Sequence, residues 1–108
     1  MSASEERAAR NEALFREFNE RVERLAGAVV LERIRFVCEC ADLECLERVD
    51  LTRAAYEGVR SDPTRFVVAP GHENPKIERA VARGEGYLVV EKVEHAAQVA
   101  IEHDPRSG

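Results

Sequence analysis

Ile34-Arg35-Phe36-Val37-Cys38-Glu39-Cys40-Ala41-Asp42-Leu43-Glu44-Cys45 decides how this chain folds, because it carries a strand straight into all three cysteines of the sequence. Val30, Ile34 and Phe36 fall on one side of an extended backbone and Arg33 and Arg35 on the other, a period of two. Cys38 and Cys40 lie two apart in the same extended segment, so their thiols share a face, and the short loop that follows can return Cys45 toward them. Three thiolates that converge want a fourth donor for a tetrahedral metal, and the chain offers His72, His95 and His103 as imidazoles. His72 is favoured because it leaves the rigid Pro70-Gly71 turn at the end of a strand. His95 and His103 sit eight apart on a helix and read as solvated side chains, with His95 as the reserve ligand.

An odd number of cysteines crowded into eight positions suits a metal in a reducing compartment better than a disulfide framework. Two other readings stand beside the metal: thiols buried as small apolar groups, and a disulfide switch. The polar flanks Glu39, Asp42 and Glu44 argue against the first. With zinc bound, three thiolates and a divalent ion leave a net charge of about -1, which calls for donors such as backbone N–H groups, Arg35 or Arg48. Iron fits the same donors in principle. Four protein ligands close the tetrahedron; a catalytic zinc needs an open position and a base, and only Glu73, beside His72, offers itself. Other enzyme signatures, including H-E-x-x-H, a P-loop and G-x-S-x-G, are missing. The acidic residues otherwise read as solvated surface.

Upstream, residues 4–27 are expected to form a helix with Ser4 as its N-cap and Gly27 as its stop. Leu14, Phe18, Val22, Leu25 and Val29 recur at helical spacing, widened by Phe15 and Ala26, and read as the buried stripe. Glu12 with Arg16, Glu17 with Arg21 and Glu20 with Arg24 read as ion pairs on the exposed face. The echo of Asn11-Glu12 in Asn19-Glu20 has no heptad spacing and reads as chance. Downstream, Glu47 to Leu51 is expected as a strand with Val49 and Leu51 inward. A helix from Arg53 to Arg60 follows, capped by Thr52, and then a strand from Arg65 to Ala69. Residues 76–83 fit either a helix or the first arm of a hairpin; Gly84-Glu85-Gly86 and the strand Tyr87 to Lys92 favour the hairpin. A last helix runs from Glu94 to about His103.

At 108 residues, 44% hydrophobic and 34% charged, the chain has the length and composition of one globular domain, 1–108. With no Trp and only 6% aromatic residues its core is modest, and a metal staple would help it. The net charge of -5 is spread evenly along the chain, which disfavours nucleic-acid binding, although Arg33, Arg35 and Arg48 could cluster in space. No apolar run is long enough to span a bilayer and no signal peptide is evident, so a cytoplasmic location is expected.

Phe36 to Cys40, Cys45, Leu51-Thr52 with Tyr56 and Arg60, Arg65-Phe66, Pro70-Gly71-His72-Glu73 and Tyr87 to Lys92 together resemble a group of small uncharacterised bacterial proteins with a C-x-C-x4-C cluster and a downstream P-G-H-E motif. The resemblance spans nearly the whole chain and implies a bacterial cytoplasmic setting without an activity. The expected architecture is α+β: a small zinc-stapled sheet, residues 30–103, with an amphipathic N-terminal helix that covers the sheet or pairs with a protein partner or a second copy. The expected function is a non-enzymatic Cys3His binding or regulatory module on Cys38, Cys40, Cys45 and His72. A thiol-based redox or metal sensor and a small zinc enzyme are its rivals.

Overall fold

A computed structural model describes residues 2–26 and 33–106, so the expected helix stop at Gly27 and the apolar Val29 and Val30 lie outside the described residues. The architecture is α+β, with two antiparallel sheets in place of the single sheet expected. Helix α1 (Ala3–Ala26) is capped by Ser2 rather than Ser4: Ser2 Oγ accepts from the Glu5 N–H at 3.1 Å, and the Ser2 N–H donates back to Glu5 Oε1 at 3.4 Å. Strands β1 (Ile34–Val37) and β2 (Arg48–Leu51) pair with Ile34 opposite Leu51 and Phe36 opposite Val49, all four buried. Helix α2 (Arg53–Arg60) starts at Thr52, whose hydroxyl accepts from the Ala55 N–H at 3.1 Å. Strand β3 (Arg65–Val68) then joins a hairpin of β4 (Glu78–Gly84) and β5 (Tyr87–Lys92), in the order β3-β5-β4, and α3 (Glu94–Glu102) closes the chain.

Residues 76–83 therefore enter a hairpin arm. Gly86 takes φ 83° in the turn, and Gly84 has no room for a Cβ, which would lie 2.1 Å from the Tyr87 ring. A two-stranded ribbon is marginal by itself. Here β1 and β2 are held from one side by the Tyr56 ring of α2, stacked on Phe36 at 4.1 Å between centroids, and they share a core with Phe66, Val68, Leu88 and Val90 of the second sheet.

The orientation of α1 reverses the sequence-based expectation. Its buried residues are Ala9, Glu12, Ala13, Arg16, Asn19 and Glu23, while Leu14, Phe18 and Leu25 of the apolar stripe face outward. At about 100° per residue, stripe and inward face are about 150° apart, on nearly opposite sides of the helix. The physical reason is that the ground beneath the helix is full of strand ends and loop carbonyls, which a polar helix face can satisfy and leucines cannot. Arg16 donates to the Pro63 carbonyl at 2.6 Å and the Ala100 carbonyl at 2.7 Å while lying over the Phe66 ring. Glu12 meets Lys92, which also meets Glu78, with all three side chains fully buried. Glu20 and Asp104 hold the buried Arg60 at 2.7 and 2.5 Å, and Arg106 ties Glu20 to Glu57 and Glu23. The expected pairs of Glu12 with Arg16 and Glu20 with Arg24 are thus replaced by tertiary ones. The acidic residues read as solvated surface include buried members of the interior.

Burial pushes the Glu78 carboxyl up to about 7 and the Lys92 ammonium down to about 6; their mutual contact opposes both shifts. Glu20 is pushed up by burial and brought below its ordinary value by the Arg106 and Arg60 guanidiniums.

This arrangement makes an unusual demand on mutants. Arg16→Ala should destabilise the fold by about 3 kcal/mol, since it orphans two carbonyls and opens a cavity over Phe66. Leu14→Ala should cost less than about 1 kcal/mol. Urea unfolding of the two variants in dilute protein checks the order, and a costlier Leu14→Ala would contradict this packing of α1.

Candidate metal centre

The chain leaves β1 in extended form and runs along the outer edge of β3. The Glu39 N–H donates to the Val67 carbonyl at 2.8 Å, the Val67 N–H donates to Glu39 Oε1 at 2.9 Å, and the Ala69 N–H donates to Cys38 Sγ at 3.1 Å. In this way Cys38 and Glu39 join the two sheets across an edge that would otherwise hold unpaired backbone groups. The alternation expected of an extended segment holds: the Cys38 and Cys40 thiols gather on one side, and the Glu39 carboxylate occupies a different, fully buried environment.

Cys45 returns through a tight turn in which its N–H donates to the Asp42 carbonyl at 3.1 Å and the Asp42 carboxylate accepts from the Glu44 N–H at 2.9 Å. The fourth residue arrives from the other sheet. After β3, the His72 N–H closes on the Ala69 carbonyl at 3.0 Å, with Pro70 and Gly71 between them and Gly71 at φ 88°. Pro followed by Gly at positive φ is the signature of a type II turn, which explains why this dipeptide aims the imidazole.

The donor atoms of Cys38, Cys40, Cys45 and His72 all lie within 4.8 Å of one another. His72 Nδ1 is 3.5 Å from Cys45 Sγ and 3.7 Å from Cys38 Sγ. A tetrahedron with metal–sulfur bonds near 2.3 Å and a metal–nitrogen bond near 2.05 Å has an S···N edge of about 3.6 Å. The arrangement could hold a metal ion, with Nδ1 as the histidine donor. Cys38 and Cys40 are buried, Cys45 and His72 half-buried. Burial pushes the Cys38 and Cys40 thiols up, so a nearby cation is what would favour thiolates here. His95 and His103 are exposed and stand outside this group.

Of the donors expected to offset the site's negative charge, a backbone N–H is present and the two arginines are corrected. Arg35 reaches Asp50, Arg48 reaches the carbonyls of Leu46 and Glu47, and the Ala69 N–H is what meets a sulfur. Arg33 also donates to the Asp50 carbonyl, so Arg33 and Arg35 gather on one acidic residue. Glu73 follows His72 with its Oε1 buried and without a hydrogen-bond partner.

Glu39 and Asn19 are the supporting residues that sequence reasoning missed. Glu39 Oε2 accepts from Asn19 Nδ2 at 2.8 Å and from the Tyr56 hydroxyl at 3.2 Å, while Oε1 takes the Val67 N–H. Burial raises the Glu39 carboxyl, and the bonds from Asn19 and Val67 oppose that shift. Asn19 in turn meets Val37 as a strand would, donating to its carbonyl and accepting from its N–H, both at 2.8 Å. Asn11 reaches the Ala41 carbonyl at 3.0 Å. The Asn-Glu echo in α1 was the available signal: both asparagines hold the cysteine segment, and both glutamates engage buried cations.

Among the described residues no helix is long and apolar enough to cross a membrane. Comparison with protein-family models, curated proteins and solved structures finds no match to this chain.

Glu39→Gln tests the supporting role. Its amide would set an N–H group against surrounding donors, and the variant should lose about 2 kcal/mol of stability to denaturant. Retention of wild-type stability would show that the charge of Glu39 does not anchor the cysteine segment.

Proposed function

We propose that Cys38, Cys40, Cys45 and His72 bind one structural zinc ion, and that the chain is a non-enzymatic binding or regulatory module of the reducing bacterial cytoplasm. The observation that carries this is the separation of His72 Nδ1 from two cysteine sulfurs, 3.5 and 3.7 Å, across two different sheets. Soft thiolates with one imidazole suit zinc, and four protein donors leave no position for a substrate. The ion would tie the loop after β1 to the turn after β3, completing the bridge that Cys38 and Glu39 begin. Zinc bound in this way contributes directly to folding free energy.

One equivalent of zinc per chain is expected by native mass spectrometry. Stripping it with chelator should lower the thermal midpoint by about 10 °C or more. Cys45→Ser and His72→Ala should each weaken zinc binding by more than about a hundredfold. A chain that unfolds identically with and without chelator would overturn the structural role.

One observation favours a second reading as a thiol-based sensor. Cys45 is half-buried where Cys38 and Cys40 are buried, and it lines a surface groove. Two thiolates would form a disulfide as peroxide is reduced to water, releasing the ion. Zinc release followed against stoichiometric peroxide tests this, and an inert site ends it.

A further inference from the structure

The outward face of α1 carries the apolar residues that the interior leaves unused. Leu14 is 56%, Phe18 52% and Leu25 87% exposed, and with Arg21 they recur at steps of four, three and four, the spacing of a coiled-coil seam. Exposed Glu17 and Arg24 flank the seam on one side, and neither makes an ion pair among the described residues. On the other side, Phe15 faces a groove of ≈ 420 Å³ whose far wall includes Cys45, Leu46 and Arg48, with Leu46 85% exposed.

We propose that this face is covered by α1 of a second copy of the chain, running antiparallel about a two-fold axis between residues 19 and 20. The inference rests on the binding-module reading above and deepens it by naming the partner. Charge selects both occupant and direction. In this register Leu14 meets the second copy's Leu25, and Phe18 meets its Arg21, whose guanidinium lies over the ring. Glu17 faces the second copy's Arg24 across the flank where antiparallel helices pair their charges. Two-fold symmetry makes each contact twice. A parallel pair would instead stack Arg21 on its own counterpart in the seam and set Glu17 beside Val22. On the groove side Phe15 meets Val22 of the other copy, and Leu46 extends the apolar strip.

The experiment is sedimentation equilibrium of the full chain as purified, from nanomolar to high micromolar, with circular dichroism and metal content read on the same samples. A concentration-dependent dimer is expected. Phe18→Glu should abolish it with helix content unchanged. Glu17→Arg and Arg24→Glu should each weaken it by about tenfold, since each turns two attractions into two repulsions. The double variant E17R/R24E should recover most of the loss, which only this antiparallel self-pairing requires. A folded, metal-loaded chain that stays monomeric throughout overturns the proposal. So does a dimer indifferent to the charge swap, or a face that Phe18→Glu disables only toward a different protein. A metal-free chain that dimerises and recovers on the charge swap would instead contradict the zinc reading and leave the helix pairing standing.

Discussion

The outer edge of β3 is the constraint on which the rest depends. A strand edge presents backbone donors and acceptors that must be paired or hydrated, and Val67, at 0% exposure, has no access to water. The chain meets this need with one short segment, Cys38-Glu39, which supplies a backbone N–H, a carboxylate oxygen and a sulfur. A sulfur that accepts an N–H bond at 3.1 Å is also one of four donors gathered around a common centre. Edge pairing and metal binding are therefore two uses of the same residue.

The polar inner face of α1 follows from that segment. Once Cys38-Glu39 is committed to β3, the opposite side of the β1 exit exposes the Val37 backbone groups and the Glu39 carboxylate, and Asn19 meets both. Arg16 does the same for the loop carbonyl of Pro63 and for the Ala100 carbonyl in the last turn of α3. A helix that satisfies backbone ends in this way spends most of its inward positions on Asn, Arg and Glu, so Leu14, Phe18 and Leu25 are left on the outside. Buried polar groups of this kind specify one arrangement when fully paired and are costly when one member is lost.

Much of the fold was legible because its signals are local. The strand periods of Ile34-Phe36 and Val49-Leu51, the Thr52 cap, the Pro70-Gly71 turn and the Gly84-Glu85-Gly86 turn each depend on a few neighbouring residues, and each has its counterpart in the structure. The convergence of the cysteines with His72 was legible from extended-chain alternation and turn chemistry. The packing of α1 was not. Amphipathic reading assumes that the core beneath a helix is wholly apolar, and here that ground mixes carbonyls, a carboxylate and Lys92 with apolar side chains such as Phe66 and Ile77. Glu39 was misread for a related reason: a charged residue between cysteines suggests an exposed loop, unless three donors from distant elements are known to meet it. The split into two sheets also depends on long-range pairing that no local pattern encodes.

X-ray absorption at the zinc edge, on protein purified under reducing conditions, addresses the central claim most directly because it reads the donors themselves. One zinc per chain is expected, with three sulfurs at about 2.3 Å and one nitrogen at about 2.0 to 2.1 Å. A chain without metal, or a shell of oxygen donors with fewer than three sulfurs, would contradict it.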